Sequence, residues 1–188
     1  MKPIIYLYPQ SDTDVRVVLG KPNDLTVSYP LYNTQTGWHV LAKPSGELID
    51  LQSGRNLYAL YYESDLSKAG FKVEKDGFVV KRENAASSLE DKLARLGLNE
   101  REAEEFIIYW LPKLSEHEYN YIRFADADEI NRTMPLSIEP VPDTTIRILM
   151  TYKGLDEPLG DIVEQQLPET TARNGFTVVE WGGSEIMD

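Results

Sequence analysis

The chain contains no cysteine, which removes disulfides, thiol nucleophiles and thiolate metal sites. It has only two histidines, His39 and His117, and no HExxH spacing, so a zinc site has little to draw on. His39 alternates with Trp38 and Val40 and is expected on the solvent side of a strand; His117 falls in the polar stretch Ser115-Glu116-His117-Glu118. Neither GxGxxG nor a Walker A loop is present, so no nucleotide cofactor is expected, and no metal. The nucleophile elbow GxSxG is missing too, because Ser184 follows both Gly182 and Gly183 instead of sitting between glycines. No apolar run approaches the ~18 residues needed to cross a bilayer. Met1-Lys2-Pro3-Ile4 opens without an apolar leader, which reads as cytoplasmic, although an exported protein trimmed of its leader would read alike. Basic residues are scarce: 19 Lys and Arg stand against 31 Asp and Glu, a net charge of −12. Nucleic acid and anionic membranes both select a basic surface, so neither is an expected partner. The bland role of this acidity is solubility.

What is present is ordinary for a soluble globular protein. The 188 residues are 41% hydrophobic and 27% charged, enough for one sizeable domain or two small ones. Eleven tyrosines and eleven prolines suit a strand-rich chain with many turns. Ile4 to Tyr8 is an apolar run stopped by Pro9. Asp14–Leu19, Leu25–Tyr29 and Trp38–Ala42 alternate with period two. Asn56 to Glu63 predicts one long aromatic strand. Phe71-Lys72-Val73 and Phe78-Val79-Val80 flank Asp76-Gly77, a hairpin signal. Short strands at such regular spacing suggest a sandwich or open barrel.

The period then changes. Ser87-Ser88-Leu89-Glu90 has the form of a capping box, and Leu89, Leu93 and Leu96 predict a helix closed by Gly97. Asn99-Glu100-Arg101-Glu102 caps a second helix. Its stripe of Ala103, Phe106, Ile107, Trp110, Leu111 and Leu114 is so broad that the helix is expected to be covered on two sides, with Pro112 stopping it. Strands resume at Tyr119–Phe124, Leu136–Ile138, Thr145–Tyr152 and Phe176–Trp181. Residues 159–167 have the pattern of a short helix ended by Pro168. Asp126-Ala127-Asp128-Glu129 is rich in oxygen but departs from a calcium loop, since Ile130 and Asn131 occupy a ligand and the glycine position; a solvated acidic loop is the expectation.

Several blocks, in order, resemble a family of bacteria and filamentous fungi. Lys2-Pro3-Ile4-Ile5-Tyr6-Leu7-Tyr8-Pro9 resembles its opening KPxIYLYP. Trp38 to Gly46 is similar to WxVxAxPDG, with Ser45 in place of the acid. Leu60-Tyr61-Tyr62-Glu63 resembles YLYWE, with Tyr62 in place of tryptophan. Phe106 to Pro112 resembles FITYWLP, Pro135 to Asp143 resembles PLxVxPxPD, and Val179 to Glu185 resembles LEWGGxE. The likeness covers nearly the whole chain. It implies a shared fold and carries no activity.

The pattern predicts an α+β protein, mostly antiparallel, with a two-helix insertion packed on the sheet. Residues 1–84 form a β-rich lobe in this reading, and residues 85–188 supply the helical hairpin and further strands of the same compact unit. The leading functional expectation is a non-catalytic binding or scaffold module for a protein or glycan partner. Tyr62, Glu63, Trp110, Trp181 and Glu185 are its candidate ligand-binding residues, aromatic rings with a few polar groups. The alternative is a carbohydrate hydrolase using Glu63 and Glu180, since one carboxyl can protonate a glycosidic oxygen while the other attacks or activates water. That chemistry requires both carboxylates to face one open cleft. Against both stands the plainer possibility that these glutamates end strands and the rings are core.

Overall fold

A computed structural model describes residues 2–65, 69–168 and 172–187. In chain order the strands are β1 (Ile4–Tyr8), β2 (Thr13–Leu19), β3 (Leu25–Tyr29), β4 (Trp38–Ala42), β5 (Leu48–Asp50), β6 (Asn56–Leu57), β7 (Leu60–Ser64) and β8 (Asp76–Lys81). Helices α1 (Ala85–Arg95) and α2 (Glu100–Leu114) follow, then β9 (Tyr119–Phe124), α3 (Ala127–Thr133), β10 (Leu136–Glu139), β11 (Thr144–Leu155), β12 (Val163–Glu164) and β13 (Thr177–Glu185). The protein is α+β, built from two mostly antiparallel sheets with helices packed on sheet and no closed barrel. It divides into two compact units. The first comprises Met1–Ala69, Asp126–Arg147 and Ala172–Gly182; the second comprises Gly70–Ala125, Ile148–Thr171 and Gly183–Asp188.

The first unit is sandwich-like. One sheet runs β10-β2-β4-β5-β6, and the other contributes β13-β1-β7-β3. Alternation sends Val15 and Val17 of β2, and Trp38 and Val40 of β4, to the inside. They meet Ile5, Leu7, Leu60, Tyr62 and Val178 of the other sheet in one core. Trp38 stacks edge-on against Tyr32 at 4.8 Å, and its indole N–H donates to the Pro30 carbonyl at 2.9 Å. His39, on the opposite side of β4, is exposed and pairs with Asp14.

The second unit joins β12-β8-β9-β11 with the helix pair. Asn99 caps α2 in a reciprocal box with Glu102: the Asn99 side chain accepts from the Glu102 N–H, and the Glu102 carboxylate accepts from the Asn99 N–H, each at 2.9 Å. This is the expected cap, and it satisfies two amide donors that the first turn would otherwise leave open.

Six local expectations give way. The run from Asn56 to Glu63 is two strands, β6 and β7, in different sheets. Residues 71–73 form no strand, so Asp76-Gly77 opens β8 instead of turning a hairpin. Gly77 is needed there because a Cβ would lie 2.5 Å from the Tyr121 ring, whose hydroxyl donates to the Asp76 carbonyl at 2.7 Å. Helix α1 starts two residues before Ser87, without a side-chain cap. Pro112 sits inside the last turn of α2, which ends at Leu114; its missing N–H strands only the carbonyl of Ile108, an exposed residue that water can serve. Residues 163–164 pair in parallel with β8 as β12, so no helix ends at Pro168. The oxygen-rich Asp126 and Glu129 form the capping box of α3, which explains their acidity without a cation.

Candidate functional site

The sequence-derived candidates fall in both units. Tyr62, Glu63, Glu180 and Trp181 belong to the first, Trp110 and Glu185 to the second.

In the first unit, register decides which side chains can meet. Ile5 is opposite both Glu180 and Leu60, so these three share a face with Tyr62 two residues on. Ile4 is opposite both Trp181 and Tyr61, which places Glu63 on the other face. Glu63 and Glu180 therefore project from opposite sides of one sheet. They cannot flank a single glycosidic bond, and the paired-carboxylate alternative fails on this geometry. Glu180 is in addition 0% exposed. Its Oε1 accepts the Tyr62 hydroxyl at 2.7 Å and its Oε2 accepts the Arg147 Nε–H at 2.6 Å. Arg147 also donates to Asn131 Oδ1 at 2.9 Å and to the Met134 carbonyl. The space beside Tyr62, bounded by Leu19, Ser64 and Met134, is about 20 Å³, room for one water.

Trp181 is also core: it is fully buried and its indole N–H donates to Tyr6 Oη at 3.1 Å. Glu63 is half-buried and accepts the Tyr61 hydroxyl. Tyr29, opposite Tyr61, is half exposed, and the Lys2 ammonium lies 5.6 Å from the Tyr61 ring centre.

In the second unit, Trp110 is 3% exposed and framed by the rings of Tyr109 at 4.8 Å, Tyr152 at 5.9 Å and Phe106 at 6.1 Å. Its indole N–H has no hydrogen-bond partner among the described residues. Gly183 lies against it: a Cβ there would be 2.7 Å from the ring. Glu185 is exposed, and its charge acts on the Tyr152 hydroxyl. Among the described residues no group of three or more His, Asp or Glu side chains is placed to hold a metal ion. No helix there is long and apolar enough to cross a membrane.

An exposed apolar surface in the second unit lies outside the sequence-derived candidates. Helix α2 buries only the line Glu102, Phe106, Trp110 and Leu114. The expected second cover is absent: Ile108 is 67% exposed. Ile108 and the half-covered Ile107 open into a groove of about 630 Å³ between α1 and α2. The signal was in the sequence, in an apolar girth wider than one buried face requires. Arg147 was also missed. It is a lone base between Ile146 and Ile148, as Glu180 is a lone acid between Val179 and Trp181; single charges in apolar strands are the mark of a buried ion pair.

Two phenols report on this burial. Tyr62 is pushed well above its ordinary value of 10, first by burial and then by the Glu180 charge. Tyr152 is raised first by burial and then by the charge of Glu185 and the hydrogen bond to it. A folded-state value raised above the unfolded one means that the native protein keeps its proton over a pH range in which the unfolded chain releases it. The native fold holds these protons more tightly, so their contribution is whole below pH 10 and declines as pH rises beyond it. Stability is therefore expected to fall above that pH, with a shallower slope in Tyr62→Phe and Tyr152→Phe. Alkaline denaturation combined with phenolate absorbance checks this. Ionisation of both phenols in the native protein near pH 10, as for free tyrosine, would refute it.

The chain is 35% identical over 66 residues to an "uncharacterized protein in bglA 3'region" of Butyrivibrio fibrisolvens, a match that covers 35% of this chain and 67% of that protein. The chain belongs to the family of that protein. No protein-family model matches the chain, and no solved structure does.

Proposed function

We propose that this protein is a non-catalytic binding module and that the groove between α1 and α2 receives a partner protein. The exposure of Ile108 in mid-helix carries this reading, because a large aliphatic side chain open to water within an apolar groove is the usual form of a protein-docking surface. The disposition of the glutamates supports the non-catalytic half: Glu180 is sealed in an ion pair and Glu63 faces the other way. A protein suits the groove better than a glycan does, since its floor is aliphatic and the exposed tyrosines Tyr29 and Tyr58 belong to the first unit.

The test is an NMR titration of the isotopically labelled protein with a synthetic amphipathic helical peptide of uncharged flanks. Amide shift changes are expected at Ala103, Ile107, Ile108 and the facing turn of α1, and Ile108→Asp should abolish them. Unperturbed helices, or shifts confined to other elements, would refute the proposal. Because Ile108 is exposed, the aspartate variant should retain the wild-type spectrum elsewhere.

A further inference from the structure

The partner's chemistry can be read from the rim of the same groove, and this inference rests on the groove being a docking surface. The floor is apolar and low, formed by Leu98, Ala103, Ile107 and Ile108. Small residues line it from both helices, Ala94 from α1 and Ala103 from α2. Two neighbouring helices with small residues at their seam leave a channel into which the side-chain ridge of a third helix fits. Helix-in-groove recognition uses this geometry, with anchors at i, i+3, i+4 and i+7.

The rim carries one sign of charge. Glu90, Glu100 and Glu104 line the groove, and no basic residue does. We infer that the groove takes an amphipathic helix of a partner protein whose apolar stripe is flanked by lysine or arginine. Apolar contact along the floor supplies the association, and the three carboxylates steer a basic flank into register and disfavour an acidic one. A second copy of this chain is a poor occupant, because a protein of net charge −12 would bring acid against acid. The contrast with another groove of the second unit is informative. That one, about 500 Å³, is lined by Lys81 and Lys92 as well as Asp161 and Glu164, so it presents no single sign to a partner.

The experiment uses the full chain and three synthetic helical peptides with one leucine stripe and flanks of lysine, glutamate or uncharged glutamine. Affinities are measured by calorimetry at one fixed ionic strength. The lysine peptide is expected to bind about tenfold tighter than the uncharged one, and the glutamate peptide weaker than both. Glu100→Lys with Glu104→Lys should invert that order. The milder Glu100→Gln with Glu104→Gln should level it, which guards against loss of the first turn of α2. Glu139→Lys with Glu157→Lys makes the same change in net charge at exposed positions outside the groove and should leave the order intact. An order set equally by the distant pair would refute the inference, since overall charge would then explain it. If the uncharged peptide perturbs α1 and α2 but lysine flanks bring no gain, the groove still docks helices and the basic partner is wrong. If no peptide perturbs them, both conclusions fall.

Discussion

Replacing Arg147 with methionine is expected to cost about 3–5 kcal/mol of folding stability. The loss arises because Glu180 stays behind, 0% exposed, holding the Tyr62 hydroxyl at 2.7 Å but no counter-charge. A carboxylate stripped of its counter-charge in such a place must protonate, draw in water or shift the strands around it. The wild-type pair need not be strongly stabilising for this to hold. Two charges taken out of water lose hydration that their attraction only partly returns, so a buried pair and an apolar pair of similar volume can be of equal worth. The double replacement Arg147→Met with Glu180→Leu is therefore expected to recover most of the loss. What it does not recover measures the bonds Arg147 makes to Asn131 and the Met134 carbonyl. Urea unfolding of the single and double variants gives the answer, provided the denaturant slope is unchanged. A single Arg147→Met variant within about 1 kcal/mol of wild type would mean that water already reaches Glu180.

Trp110→Ala is expected to be comparably severe, at about 3–5 kcal/mol. The indole fills the space between Phe106, Tyr109 and Tyr152, and truncation would leave a cavity lined by rings that cannot collapse far. Its neighbour gives a sharper test from the opposite direction. At Gly183 an added methyl would meet the six-membered part of the indole at 2.7 Å and the Met150 carbonyl at 3.0 Å. Neither neighbour is the free end of a flexible side chain, so Gly183→Ala should cost about 1–3 kcal/mol by overpacking. In a Trp110→Phe background the smaller ring vacates part of that space, and the same glycine replacement should cost less. Thermal or urea denaturation of the four proteins yields the coupling directly. Equal costs of Gly183→Ala in both backgrounds would show that the contact is not what fixes the glycine. The contact joins two distant stretches of the chain, since Trp110 lies in α2 and Gly183 in β13.

Local chemistry was legible where local chemistry decides the structure. Asn99 and Glu102 announce the start of α2 because the cap is made by residues three apart. The alternation of Val15, Val17 and Leu19 gave β2 its buried face for the same reason. Asp126 and Glu129 have the same cap spacing, but in so acidic a stretch it reads as a solvated loop, where the structure has the start of α3. The misread segments are those whose state is set from far away. Val163 and Glu164 are strand because Asp76 and Gly77 offer them an edge, and nothing within residues 159–167 says so. The candidate site was hardest for this reason. Glu180 meets Tyr62 across 118 positions and Arg147 across 33, and only register shows that Glu63 points the other way.

The arrangement of β1 has a consequence for biosynthesis. Ile4 to Tyr8 pair with Trp181 to Thr177, so β1 lies against a strand far behind it in the order of synthesis. A nascent chain emerging from the ribosome holds β1 without this neighbour until β13 has been translated, and Ile5 and Leu7, destined for the core, must wait uncovered on that side. Such sequence-distant pairing slows folding. A fragment truncated before β13 would therefore leave one edge of β1 unpaired beside β7, and would be a substrate for chaperones and proteases.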